Sequence, residues 1–132
     1  MGKDLSQAEL DFFIDDPQKL QIYLRVREQL LLIAPDSALR VMKTCVTFDA
    51  PKPFVYVSYP FRKRYKNWPE HHLILSFSAD QPYEHGNLVA PAFIRPGLYT
   101  LHALIPEPGD IPSEIHDLIT LAHARKNGRS TP

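Results

Sequence analysis

Apolar and polar positions change rhythm twice along this chain. Up to Ile33 the apolar residues recur at helical spacing. Leu10, Phe12 and Phe13 come first, then Leu20, Tyr23, Leu24 and Ile33 beside a row of Ile22, Val26 and Leu30. The next stretches are short and rich in β-branched and aromatic residues: "LRVMKTCVTF", "FVYVSYPF", "LILSFSA" and "YTLHALI". After "GDIPSE" the helical spacing returns, with Ile111, Ile115, Leu118, Ile119 and Ala122 forming one stripe.

Local signals sharpen these boundaries. Ser6 and Glu9 form a Ser-x-x-Glu capping box, and Leu5 with Leu10 supplies the matching staple. Asp16-Pro17 reads as an N-cap followed by proline at the first helical position, and Pro35 sets the end of that helix. Arg25, Arg27 and Glu28 are expected to face water. "APKPF" is short enough to join two strands as a hairpin. His123, Arg125 and Lys126 suit the negative end of the last helix, and Gly128 suits its stop. The expected organisation is a single α+β domain over 1–126 and a flexible tail over 127–132. The domain is an antiparallel sheet of four to five strands. Two N-terminal helices and one C-terminal helix pack mainly on one of its faces.

Successive side chains on a strand point to opposite faces. Leu73, Leu75, Phe77 and Ala79 therefore share one side, as do Tyr99, Leu101, Ala103 and Ile105, and Val55, Val57 and Tyr59. The opposite sides are mixed and carry Tyr56, Ser58, Ser76, Ser78 and His102. "RVMKTCVTFDA" reads as one continuous strand, with Arg40, Met42, Thr44, Val46 and Phe48 inward because that set has more apolar bulk. Lys43 then points to the mixed face beside His102 and the serines. A lysine there is commonly a solvated residue that discourages aggregation. The sharper reading makes it the cation of a shallow polar groove with Tyr56, Ser58, Ser76 and His102.

Composition narrows the classes of function. The chain has 132 residues, 44% of them hydrophobic, enough for one globular domain without a staple. Its single cysteine, Cys45, rules out an internal disulfide and suits a reducing compartment. It sits in an apolar strand and reads as an inert thiol. "MGKDLSQAEL" has no apolar core of signal-peptide length, and "LLLIA" is too short to span a bilayer. The expectation is a soluble cytoplasmic protein without a membrane partner. Lys plus Arg and Asp plus Glu both number 15, which argues against a general phosphate-backbone binder. Thirteen prolines against five glycines punctuate the second half into short extended pieces.

Two other clusters carry chemistry. In "FRKRYKNW", Arg62, Lys63, Arg64 and Lys66 alternate with aromatics, a pattern that can grip phosphates and stack bases. The zero net charge favours a solvated loop instead. "PEHHLI" offers Glu70, His71 and His72, with Glu84 and His85 further on. Adjacent strand histidines diverge, and there is no His-Glu-x-x-His and no cysteine pair, so no metal or other cofactor is expected. A Gly-rich phosphate loop and a Gly-x-Ser-x-Gly elbow are also missing.

"DFFIDDPQKLQIYLRVREQL", "VMKTCVTF" and "YTLHALI", in that order and spacing, resemble a bacterial family of a domain of unknown function. Its members share a helix-opening Phe-Phe segment, a strand near Val-x-Lys-Thr-x-Ile-Ser-Phe and a later Thr-x-His strand. Cys45 and Thr47 depart from that pattern. A more distant likeness is to the YdhG-like group of small α+β domains, also labelled frataxin-like. The resemblance implies an α+β fold and a ligand face around Lys43, Thr44 and His102, and no established activity. The combined expectation is a small non-catalytic module holding an anionic or polar ligand on the open sheet face. The alternatives are an enzyme using Lys43 and His102, and a nucleic-acid-associated module acting through Arg62–Lys66. A homodimer through the open face, with Tyr56, Ile74 and Leu104 in contact, is a further option.

Overall fold

The structure, a computed structural model, describes residues 5–50, 52–59 and 72–126. Among these residues the chain forms α1 (Gln7–Phe12), α2 (Pro17–Ile33), β1 (Ala38–Val41), β2 (Cys45–Asp49), β3 (Pro53–Ser58), β4 (His72–Ala79), β5 (Leu88–Arg95), β6 (Leu98–Pro106) and α3 (Ser113–Lys126). The protein is α+β. Its six strands make one antiparallel sheet in the order β1-β2-β3-β4-β6-β5.

Both expected caps are present. The Ser6 side chain accepts from the backbone N–H of Glu9, and the Glu9 carboxylate accepts from the backbone N–H of Ser6. Asp16 accepts from the backbone N–H of Lys19 at the start of α2, where Pro17 stands at the first helical position. Gly128 and the tail 127–132 lie outside the described residues.

The sheet has more strands than the four or five expected, for two reasons. "LRVMKTCVTF" is two strands, not one. The Met42 N–H donates to the Cys45 carbonyl at 2.8 Å, and Val41 faces Val46, so Lys43 and Thr44 are a two-residue hairpin loop. That loop has no Gly, Asn or Asp to announce it. Reversal also breaks the assumed alternation. Val46 and Phe48 do point inward, but Leu39 and Val41 join them, while Arg40, Met42, Lys43 and Thr44 are exposed. The second addition is β5, which contains Pro91. Proline lacks a ladder donor and is tolerated at a sheet edge, and β5 is an edge strand with a register shift between Val89 and Ala92.

The core lies between the helices and one face of the sheet. Val46, Phe48, Val55, Val57, Leu73, Leu75, Phe77, Leu101, Ala103 and Ile105 meet Ile22, Tyr23, Val26 and Leu30 of α2 and Ile115, Ile119 and Ala122 of α3. The partner of Phe48 is Val55 and that of Asp49 is Pro53, so Phe54 is the extra residue of a bulge. Phe54 is buried, and its ring meets His123 of α3 edge-on.

Arg27 does not face water, although Arg25 and Glu28 do. It is 9% exposed and donates from Nε to Oε2 of Glu9 at 2.7 Å; Glu9 also accepts from the Tyr23 hydroxyl. Burial alone would raise the Glu9 carboxyl, but bonds to Arg27, Tyr23 and Ser6 and the Arg27 charge outweigh it and hold it below the ordinary value. Burial, followed by the Glu9 carboxylate, pushes the Tyr23 phenol far up. A second clamp fixes the approach to α3. Gln29 donates to the Gly109 carbonyl and accepts from the Ile111 N–H, and Arg25 pairs with Asp110 at 2.7 Å.

Candidate functional site

Residues directly opposite in neighbouring strands share a face. Thr47 faces Tyr56, Tyr56 faces Ser76, Ser76 faces His102 and His102 faces Val89. This row crosses the sheet from β2 to β5 on the side away from the helix-covered core. A parallel row runs Cys45, Ser58, Ile74 and Leu104. A third contains Ser78, Thr100 and Ala92.

At the hairpin end of this face, Lys43, Thr44, Cys45, Tyr56, Ser58, Tyr59 and Ser76 line a hollow of about 590 Å³. The sheet supplies Tyr56, Ser58 and Ser76, and the β1–β2 loop carries Lys43 to the rim. Lys43 is exposed and has no ion-pair partner among the described residues. The nearby Arg40 is already engaged by Asp49 at 2.5 Å.

His102 stands behind this hollow. Its Nδ1 and the Ser76 Oγ are 2.8 Å apart, a cross-strand hydrogen bond. Burial lowers the imidazole pKa, so the neutral ring is favoured at neutral pH and supplies polarity, not charge. Cys45 lines the hollow, and burial, only partly offset by Arg40, raises its thiol. That keeps the sulfur protonated and poorly nucleophilic.

Four of the five predicted ligand residues therefore come together, namely Lys43, Tyr56, Ser58 and Ser76, and His102 joins them through Ser76. Cys45 and Tyr59 were missed, and Thr44 had been named only through the family resemblance. Cys45 was readable from alternation with Thr47, whereas Thr44 required knowledge of the turn. The expected exposure of Ile74 and Leu104 is corrected. Ile74 is fully buried and Leu104 nearly so, and only Tyr56 of the three stays exposed. Ser78 belongs to a second, smaller hollow of about 290 Å³, lined by Tyr56, Ile94, Leu98 and Thr100 among others.

Arg62, Lys63, Arg64, Lys66, Glu70 and His71 lie outside the described residues. His72 is buried in β4, and His85 binds Glu114 at 2.8 Å. Among the described residues no group of three or more His, Cys, Asp or Glu is placed to hold a metal ion. No helix of the described residues is long and apolar enough to cross a membrane. No family model, curated protein or solved structure matches this chain.

Proposed function

We propose that the protein is a small cytoplasmic binding or accessory module that takes an anionic or polar ligand on the open sheet face. One observation carries this reading. Lys43, a cation without an ion-pair partner among the described residues, stands at the rim of a hollow that also presents Tyr56, Ser58 and Ser76. An ammonium with several hydroxyls can bind an anion through charge-assisted hydrogen bonds. The neutral His102 buttresses Ser76 and adds no charge.

The test is a two-dimensional amide NMR titration with small carboxylates, phosphate and sulfate. Shifts clustered on Lys43–Cys45, Ser58 and Ser76, and lost in Lys43→Met, support the reading. A flat titration with every anion rejects it. Sedimentation of the same samples checks the competing use of this face, a homodimer.

The Ser76–His102 bond favours a second reading, an enzyme. A serine hydroxyl next to a neutral imidazole is the start of a nucleophile and its base, with Lys43 as the cation near the reacting group. Incubation with a fluorophosphonate followed by mass spectrometry tests it. An adduct on Ser76 that disappears in His102→Gln favours the enzyme, and an unlabelled Ser76 removes it.

A further inference from the structure

The two hollows on the sheet face away from the core share a wall. Tyr56, 39% exposed, lines both the Lys43 hollow and the one bounded by Ile94, Leu98 and Thr100. The first is rimmed by a cation and hydroxyls. The second is bounded chiefly by apolar side chains, including Ile94, which is 53% exposed. We infer that the ligand is amphipathic, a carboxylate bound at Lys43 whose apolar chain crosses Tyr56 into the hollow beside Ile94 and Leu98. This deepens the anion-site reading and rests on it.

The charge count selects the head group. Among the described residues Lys43 is the cation that lines the hollow, and Arg40 is held by Asp49. That one positive charge among the described residues, with the Tyr56, Ser58 and Ser76 hydroxyls, matches a monoanion; a dianionic phosphate generally calls for bidentate or multiple cations. The sheet sets the length. From Ser76 to the strand carrying Ile94 is two strands across, about 10 Å, and from Ser76 to Ser78 is one pleat along, about 7 Å. A chain of roughly ten carbons covers that span. Tyr56 is amphipathic, suited to the junction, with an apolar ring under the chain and a hydroxyl toward the head. Each methylene fully removed from water strengthens binding roughly fourfold, so even partial cover of the tail is measurable.

Calorimetric titration of the intact chain with butyrate, decanoate and decanol, below micelle-forming concentrations, tests this. Decanoate is expected to bind at least tenfold tighter than butyrate and than decanol. Ile94→Asn, a change at an exposed position, should remove most of the gain over butyrate while leaving butyrate unchanged. Lys43→Met should weaken both carboxylates and spare decanol. Equal affinity for butyrate and decanoate overturns the amphipathic ligand and leaves the anion site standing. Decanol binding as tightly as decanoate overturns the carboxylate head. Failure of all carboxylates to bind overturns this inference, and the reading beneath it falls with it only if phosphate and sulfate also leave the Lys43–Cys45 amides unshifted.

Discussion

Glu9, which completes the cap of α1, is also the buried counter-ion of Arg27, 18 residues further along, with Nε and Oε2 2.7 Å apart. One carboxylate thus satisfies the Ser6 N–H at the start of a short helix and ties that helix to α2. The Tyr23 hydroxyl occupies a further lone pair of the same carboxylate. Removing either charge leaves the other buried.

Arg27→Met is therefore expected to cost about 3–5 kcal/mol, the usual penalty for stranding a buried charge. Replacing both Glu9 and Arg27 by methionine should cost clearly less than the two single changes together. Urea unfolding of the two single variants and the double variant closes this cycle. Additive losses would contradict the pairing.

The same carboxylate gives an acid dependence. Its folded pKa lies below the ordinary 4.5. The unfolded chain thus takes up a proton first as pH falls, and folded stability falls with it. The contribution is complete above about 4.5 and is lost as pH drops through the lower folded value. Urea midpoints measured from neutral to acid pH should show this slope in the wild type and a shallower one in Glu9→Gln.

His102 acts in a higher window. Burial lowers its folded pKa beneath the ordinary 6.5. Stability is undiminished above that value, declines as pH falls toward the folded pKa, and loses nothing further below it. A carbon-detected titration of the imidazole should give a midpoint under 6.5, and His102→Asn should remove the corresponding slope of stability against pH. A midpoint at or above the ordinary value would contradict the burial.

Gly109 has φ of 106°, and a Cβ placed on it would lie 2.7 Å from the Ile22 carbonyl oxygen. Gly109→Ala is expected to cost at least about 1–2 kcal/mol from the backbone alone, before the clash with α2 is added. Thermal melts should show a loss of several degrees, and an unchanged melt would mean that the loop can leave α2.

Thr47 is fully buried between Arg40 and Tyr56, and its hydroxyl has no hydrogen-bond partner among the described residues. Replacing a buried unsatisfied hydroxyl by a methyl removes a desolvation penalty, so Thr47→Val is expected to stabilise by about 1 kcal/mol. Lys43→Met, on an exposed loop, should change stability by less than about 0.5 kcal/mol. Chemical denaturation of both variants separates these effects from any effect on binding.

Local chemistry determined much of this protein from the sequence alone. The Ser6–Glu9 box and Asp16-Pro17 start two helices because a cap is satisfied within three residues. The alternation in "HLILSFSA" and "YTLHALI" put Ser76 and His102 on one face and Leu75 and Ala103 on the other, because strand geometry fixes parity. The tertiary structure decided what depends on distant partners. Arg27 turned inward because Glu9 lies across from it. Lys43 left the strand because Val41 pairs with Val46, a reversal without a glycine to mark it. Pro91 is accommodated because β6 enters between β4 and β5, leaving β5 at the edge. The hollow beneath Lys43 is assembled from a turn and three strands, since no single segment holds its cation together with the hydroxyls of Tyr56, Ser58 and Ser76.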